Sequence, residues 1–118
     1  LTLKQKTSIL IMAAANKEVH VIVCYSIAEG KDAAFIEATR PLVIATNKEK
    51  GCIKYNIHKN NKVDNQYVMI EKWDNQENLT KHLKQPHLKT YREAVQKNEI
   101  FASPPTVYFC NGPAINLE

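Results

Sequence analysis

Glu71, Trp73, His82, His87, Tyr91 and Arg92 all fall between positions 71 and 92 of the chain. A carboxylate and an imidazole are the side chains best suited to moving a proton near neutral pH. Met69, Glu71 and Trp73 alternate, so on a strand they share one face. In apolar surroundings Glu71 would have a raised pKa and could take a proton; its plainer use is an ion pair with a helix Lys or Arg. His82 follows Leu79 at helical spacing and is either a second proton acceptor or a structural histidine. Trp73 offers a platform for a flat substrate, or core packing. Tyr91, and Tyr55 upstream, could donate hydrogen bonds to a phenolic oxygen, or simply pack. Arg92 could balance an anion formed on deprotonation. His87 follows Pro86 and reads as a helix-terminus or surface group.

No metal-ligand set is expected from spacing, since His82 and His87 are five positions apart and neither HxxxH nor HxH occurs. There is no glycine-rich phosphate loop for a flavin or nicotinamide either, so no cofactor is expected.

These side chains need a sheet and returning helices to bring them together. Gln66–Trp73 is rich in β-branched and aromatic residues and reads as a strand. Asp74, with Glu77 three residues on, reads as the cap of a helix over about 76–84. Pro86 breaks that run and starts a second helix to about Asn98. His82, about two turns along the first helix, is expected over the sheet face that carries Glu71, partly exposed. Upstream, His20–Ile27 is a strand with Val19, Val21, Val23, Tyr25 and Ile27 on one face. A helix capped by Asp32 runs to about Lys50, with Pro41 expected to bend or divide it and Gly51 to end it. Cys52–Lys59 alternates Ile53, Tyr55 and Ile57 against polar residues, and 60–65 is a polar connection. Thr106–Cys110 is a last strand after Ser103-Pro104-Pro105.

The order strand, helix, strand, strand, helices, strand predicts an α+β fold of the ferredoxin-like, split βαβ kind: a four-stranded antiparallel sheet with helices on one face. The other face is left bare, and its residues read as largely apolar. Such a face is usually a subunit interface, so a homodimer closing an α+β barrel is expected.

The chain has 118 residues and a formal net charge of +4, enough for one domain with its own core. Acidic residues interleave with the Lys and Arg, which argues against nucleic acid. No apolar run reaches membrane-spanning length. Cys24, Cys52 and Cys110 are odd in number and lack CxxC spacing, so small buried residues in a reducing, cytoplasmic compartment are expected. Residues 1–18 stand apart. Lys4 and Lys6 precede the apolar Ile9–Ala15, read as an ordered extension, helical around Ile9–Ala15 and packed on the domain or a partner subunit. A retained secretory signal remnant is the alternative. The domain is expected over 19–113, with 114–118 a tail.

Gly51-Cys52-x-x-Tyr55, Met69-Ile70-Glu71-x-Trp73 and His82-Leu83-x-x-Pro86-His87-x-x-x-Tyr91-x-x-Ala94-Val95 together resemble the antibiotic-biosynthesis monooxygenase family, and most nearly its quinol monooxygenase-like branch. The resemblance covers about 19–111. It implies catalytic His82 and Glu71, and substrate contacts from Trp73, Tyr55, Tyr91, Arg92 and Met69. Two other branches fit less well. Haem-degrading members need an Asn on the first strand, and none stands around Val23 and Cys24. Polyketide-oxidising members need an Asn and a Tyr where this chain has Met69 and about Leu79. The implied function is a cofactor-independent monooxygenase acting with O2 on a quinol or related phenolic or polycyclic small molecule. The alternatives are a non-catalytic small-molecule-binding dimer of the same fold and an acid–base isomerase.

Overall fold

The computed structural model describes residues 1–7 and 17–118. The helix expected around Ile9–Ala15 lies outside the described residues. Four strands, β1 (Val19–Ser26), β2 (Cys52–Lys59), β3 (Gln66–Trp73) and β4 (Thr106–Asn111), form one sheet in the order β2-β3-β1-β4. Every pairing is antiparallel. The helices that pack on the sheet are α1 (Asp32–Thr46), α2 (Gln76–His82) and α3 (Pro86–Lys97). This is the expected split βαβ topology.

Strand alternation decides what meets the helices. Val19, Val21, Val23 and Tyr25 of β1 are buried, as are Tyr67, Met69, Glu71 and Trp73 of β3. Across the sheet the register lines up Tyr55, Glu71, Val21 and Phe109 in one helix-facing row. One position along, Asn56, Ile70, Ile22 and Tyr108 form a row on the bare side. That side is apolar at its centre, at Val68 and Ile70 of β3, Ile22 and Cys24 of β1, and Tyr108 and Cys110 of β4. Gln66, Lys72, His20, Ser26 and Thr106 on the same strands, and Lys54, Asn56 and His58 on β2, are polar, so the expectation of a largely apolar face holds only for the centre of three strands.

Four local features differ from the expected ones. Asp32 does not cap α1: Lys31 occupies that place with no side-chain cap, and the Asp32 carboxylate instead accepts from the Tyr67 hydroxyl at 2.7 Å. Pro41 neither divides nor ends α1, which buries a stripe of Phe35, Thr39, Leu42 and Thr46. Pro41 lies on the exposed side, where water can donate to the Glu37 carbonyl that a proline, lacking an N–H, cannot serve. The cap of α2 is Asn75, whose side chain accepts from the Asn78 N–H at 2.9 Å; Asp74 accepts from the Asn78 side-chain amide at 2.8 Å. A bulge between Cys52 and Lys54 turns Ile53 outward, 52 % exposed, out of the alternation with Tyr55 and Ile57.

Gly51 lies beyond the end of α1, with φ +83°. A Cβ there would run into the Asp74 carboxylate and lie 2.7 Å from the Asn78 Cβ. Glycine is therefore required twice, for the left-handed backbone and for the close approach of this turn to the start of α2. α2 packs on β3, and α1 packs on both α3 and β2. Phe35, Leu42, Met69, Trp73, Leu79 and Ile100 are essentially sealed from solvent between the layers. No helix among the described residues is long and apolar enough to cross a membrane.

Candidate active site

A cavity of about 310 Å³ opens between the helix-facing row of the sheet and helices α2 and α3. Its floor is Tyr55, Glu71 and Val21; His82 closes it from α2, and Tyr91 and Arg92 from α3. Its mouth lies along the β4 edge, at Phe101, Pro105, Val107 and Phe109. The volume suits a small ligand of one or two rings. Of the residues expected at a site, Glu71, His82, Tyr55, Tyr91 and Arg92 are thus brought to one cavity.

Trp73 and Met69, expected as substrate contacts, do not line the cavity. Both are wholly buried. Trp73 lies behind the site: its indole N–H donates to Glu71 Oε1 at 2.9 Å. Its ring also lies 4.8 Å from the His82 ring, tilted by 35°. It holds the two titratable groups in place and offers no face to a ligand.

Burial sets the protonation states. Loss of solvation raises the Glu71 pKa to about 7, reinforced by the negative Glu49 and opposed by the Trp73 hydrogen bond. No ion pair to Glu71 forms among the described residues, so the helix Lys or Arg partner considered from sequence is not there. Burial lowers the His82 pKa, and the Glu49 carboxylate pulls it back up. Glu71 is therefore able to exchange a proton near neutrality, and the lowered pKa of His82 favours its neutral form, which can accept one. Burial pushes the Tyr91 phenol to about 12 and the Tyr55 phenol upward as well, so both remain hydrogen-bond donors at neutral pH. The Tyr91 hydroxyl is buried beside the hydroxyls of Tyr25 and Thr39.

Glu49 was not singled out from sequence. It stands on the turn after α1, and its Oε2 lies 2.7 Å from His82 Nδ1 and 2.8 Å from His87 Nε2. His87 is accordingly not a free surface group, and His82, at 2 % side-chain exposure, is buried, not partly exposed. The histidine spacing that argued against a metal-ligand set left this carboxylate out: Glu49, His82 and His87 place one potential ligand atom each within 4.8 Å of one another. Ligands about 2.0–2.1 Å from a zinc-like ion stand roughly 3.3 Å apart. Both rings here sit at hydrogen-bond distance from one oxygen, which is a carboxylate clamped between two imidazoles.

A model of the antibiotic biosynthesis monooxygenase family matches residues 18–94. Among solved structures, the chain resembles a Nitrosomonas europaea protein described as a candidate antibiotic biosynthesis monooxygenase, with 24% identity, TM-score 0.76, and 80% of this chain and 89% of that one covered. It also resembles a Bacteroides thetaiotaomicron protein described as a possible oxidoreductase, with 25% identity, TM-score 0.74, and 82% and 99% covered. A Methanosarcina mazei protein is similar at 19% identity, TM-score 0.75, over 84% and 96%. No curated protein matches the sequence.

Proposed function

Because the chain belongs to the antibiotic biosynthesis monooxygenase family, we propose that it is a cofactor-independent monooxygenase that oxidises a quinol or related phenolic or polycyclic small molecule with O2. The observation that carries this reading is the mainly apolar cavity, open at the β4 edge, with a buried carboxyl of pKa about 7 and a buried imidazole on its wall. A phenol entering from the β4 edge loses its proton to His82 or Glu71. The phenolate is electron-rich enough to pass an electron to O2, and the radical pair combines. One oxygen atom stays on the ring and the other leaves as water, with the substrate supplying all the electrons. The protein contributes proton acceptance, exclusion of water, and hydrogen bonds from Tyr55 and Tyr91. Arg92 offers a positive charge to the anion.

The domain of this reading is 19–113, working as a homodimer whose bare sheet faces meet. Cys24 and Cys110 are exposed and Cys52 is half-buried, not buried as expected from the sequence; all three are unpaired, which fits a reducing, cytoplasmic setting. The test is O2 uptake and product mass with hydroquinone and 1,4-naphthohydroquinone, aerobically and anaerobically, against a protein-free autoxidation control. One oxygen atom gained per turnover, by a colourless protein without flavin or stoichiometric iron, is expected. Substrate conversion that proceeds equally without O2 would instead make the same acid–base pair that of an isomerase. Binding without conversion would leave a ligand-binding dimer.

A further inference from the structure

We propose that Glu49 is a positioning residue of this cavity, holding His82 in the one tautomer that presents Nε2 as the base; the inference rests on the acid–base reading of His82. Glu49 does not line the cavity. It lies behind the His82 ring, and its Oε2 is 2.7 Å from Nδ1. An ionised carboxylate only accepts hydrogen bonds, so the proton of neutral His82 sits on Nδ1 and the lone pair on Nε2. Nε2 makes no hydrogen bond to a described residue, while the ring forms part of the cavity wall. The lone pair is therefore left for a ligand.

Further contacts make this arrangement rigid. His87 Nε2 donates to the same Glu49 oxygen at 2.8 Å, tethering the carboxylate from the start of α3. The Glu49 backbone is tied on both sides: its N–H donates to the Thr46 carbonyl at 3.0 Å, and its carbonyl accepts from the Cys52 N–H at 3.3 Å. Tyr55 and Trp73, with ring centroids 5.3 and 4.8 Å from that of His82, flank the imidazole and resist its rotation.

When a phenolic O–H bond breaks and the Nε2–H bond forms, the imidazolium keeps its Nδ1–H directed at Glu49, and the carboxylate stays ionised while offsetting the new charge. The other groups acting on the ring, His87 and Arg92, disfavour that charge, and Glu71 shares the cavity. Glu49 is the group that favours it.

The test separates this role from the oxygenase reading. Long-range ¹H–¹⁵N NMR of the wild-type protein, with His82 assigned by its loss in His82→Gln, should show Nδ1 protonated and Nε2 unprotonated. In Glu49→Gln the side-chain amide can donate to Nδ1, so the Nε2–H tautomer should gain population. With 1,4-naphthohydroquinone, kcat of Glu49→Gln should fall roughly 10²–10⁴-fold with KM little changed. A wild-type His82 protonated on Nε2 overturns the proposal, and that reading stands even if Glu49→Gln fails to fold. So does a folded Glu49→Gln variant with the wild-type tautomer and wild-type kcat. If the wild type consumes no O2, the oxygenase reading falls, and the NMR result still decides the role of Glu49.

Discussion

Ionising Glu71 costs the folded protein more than it costs the unfolded chain, because burial raises its pKa from 4.5 to about 7. The native state holds this proton to higher pH than the unfolded state does. Its contribution to stability is therefore complete below about pH 4.5 and is lost as pH rises through about 7, a change on the order of 3 kcal/mol. Glu71→Gln keeps an acceptor for the Trp73 indole and cannot ionise. Its stability relative to wild type should rise across that window in urea titrations at fixed pH values, and a pH-independent difference would remove the case for a perturbed carboxyl. His82 has the opposite sign: its pKa is depressed from 6.5, so its contribution is present above that value and lost as pH falls. Partial exposure would have made His82→Ala nearly neutral for stability. A buried ring hydrogen-bonded to Glu49 makes it costly, by about 2–4 kcal/mol, and it leaves Glu49 with one partner fewer. The variant should also lose roughly 10²–10⁴-fold in turnover, measured per folded molecule. Full activity at a much lower melting temperature would make His82 structural.

At the scale of elements, the site depends on how α1 hands the chain to β2 and how β3 hands it to α2. Both turns meet at Gly51, packed against Asp74 and Asn78. Gly51→Ala adds a Cβ to a left-handed backbone and into that contact, so a loss of about 1–3 kcal/mol is expected. The turn that carries Glu49 should loosen with it. Asn75→Ala removes the α2 cap and should cost about 1 kcal/mol. Asp74→Ala, which loses only a side-chain amide contact, should cost less. Chemical denaturation of the three variants checks the ranking; Asp74→Ala costing more than Asn75→Ala would restore Asp74 as the cap.

For the whole molecule, the governing fact is a sheet with one face covered. Ile22 is 37% exposed and Tyr108 53%, neighbours across β1 and β4 on the bare side, while Phe109 on the other side of β4 is 61% exposed at the cavity mouth. A second copy meeting the bare face would take Ile22, Ile70 and Tyr108 out of water, and burial of apolar area drives such association. Sedimentation velocity at micromolar concentration should give a dimer, and Ile22→Asp, placing a charge at the centre of that row, should give a monomer. A wild-type protein that sediments as a monomer would end the barrel proposal.

Periodicity and punctuation in the chain determined the strands, the helices, the split βαβ order and the face that carries Glu71, because those signals are local and each element is written in its own residues. At Asp74 and Asn75 two neighbouring residues of similar chemistry compete for one cap; Asp32 was drawn off by the Tyr67 hydroxyl, and a bulge turned Ile53 outward, so contacts beyond the local sequence decided all three. The site was legible as far as residue types on β3, α2 and α3. That Trp73 supports the site from behind was not, since alternation places a side chain on a face without saying whether it borders a void. Glu49 was least legible of all. It stands 33 positions from His82 and 38 from His87, with no spacing to mark it. Only the packing of α1 against α3 and β2 decided that this one acid, among twelve in the chain, would lie between two imidazoles.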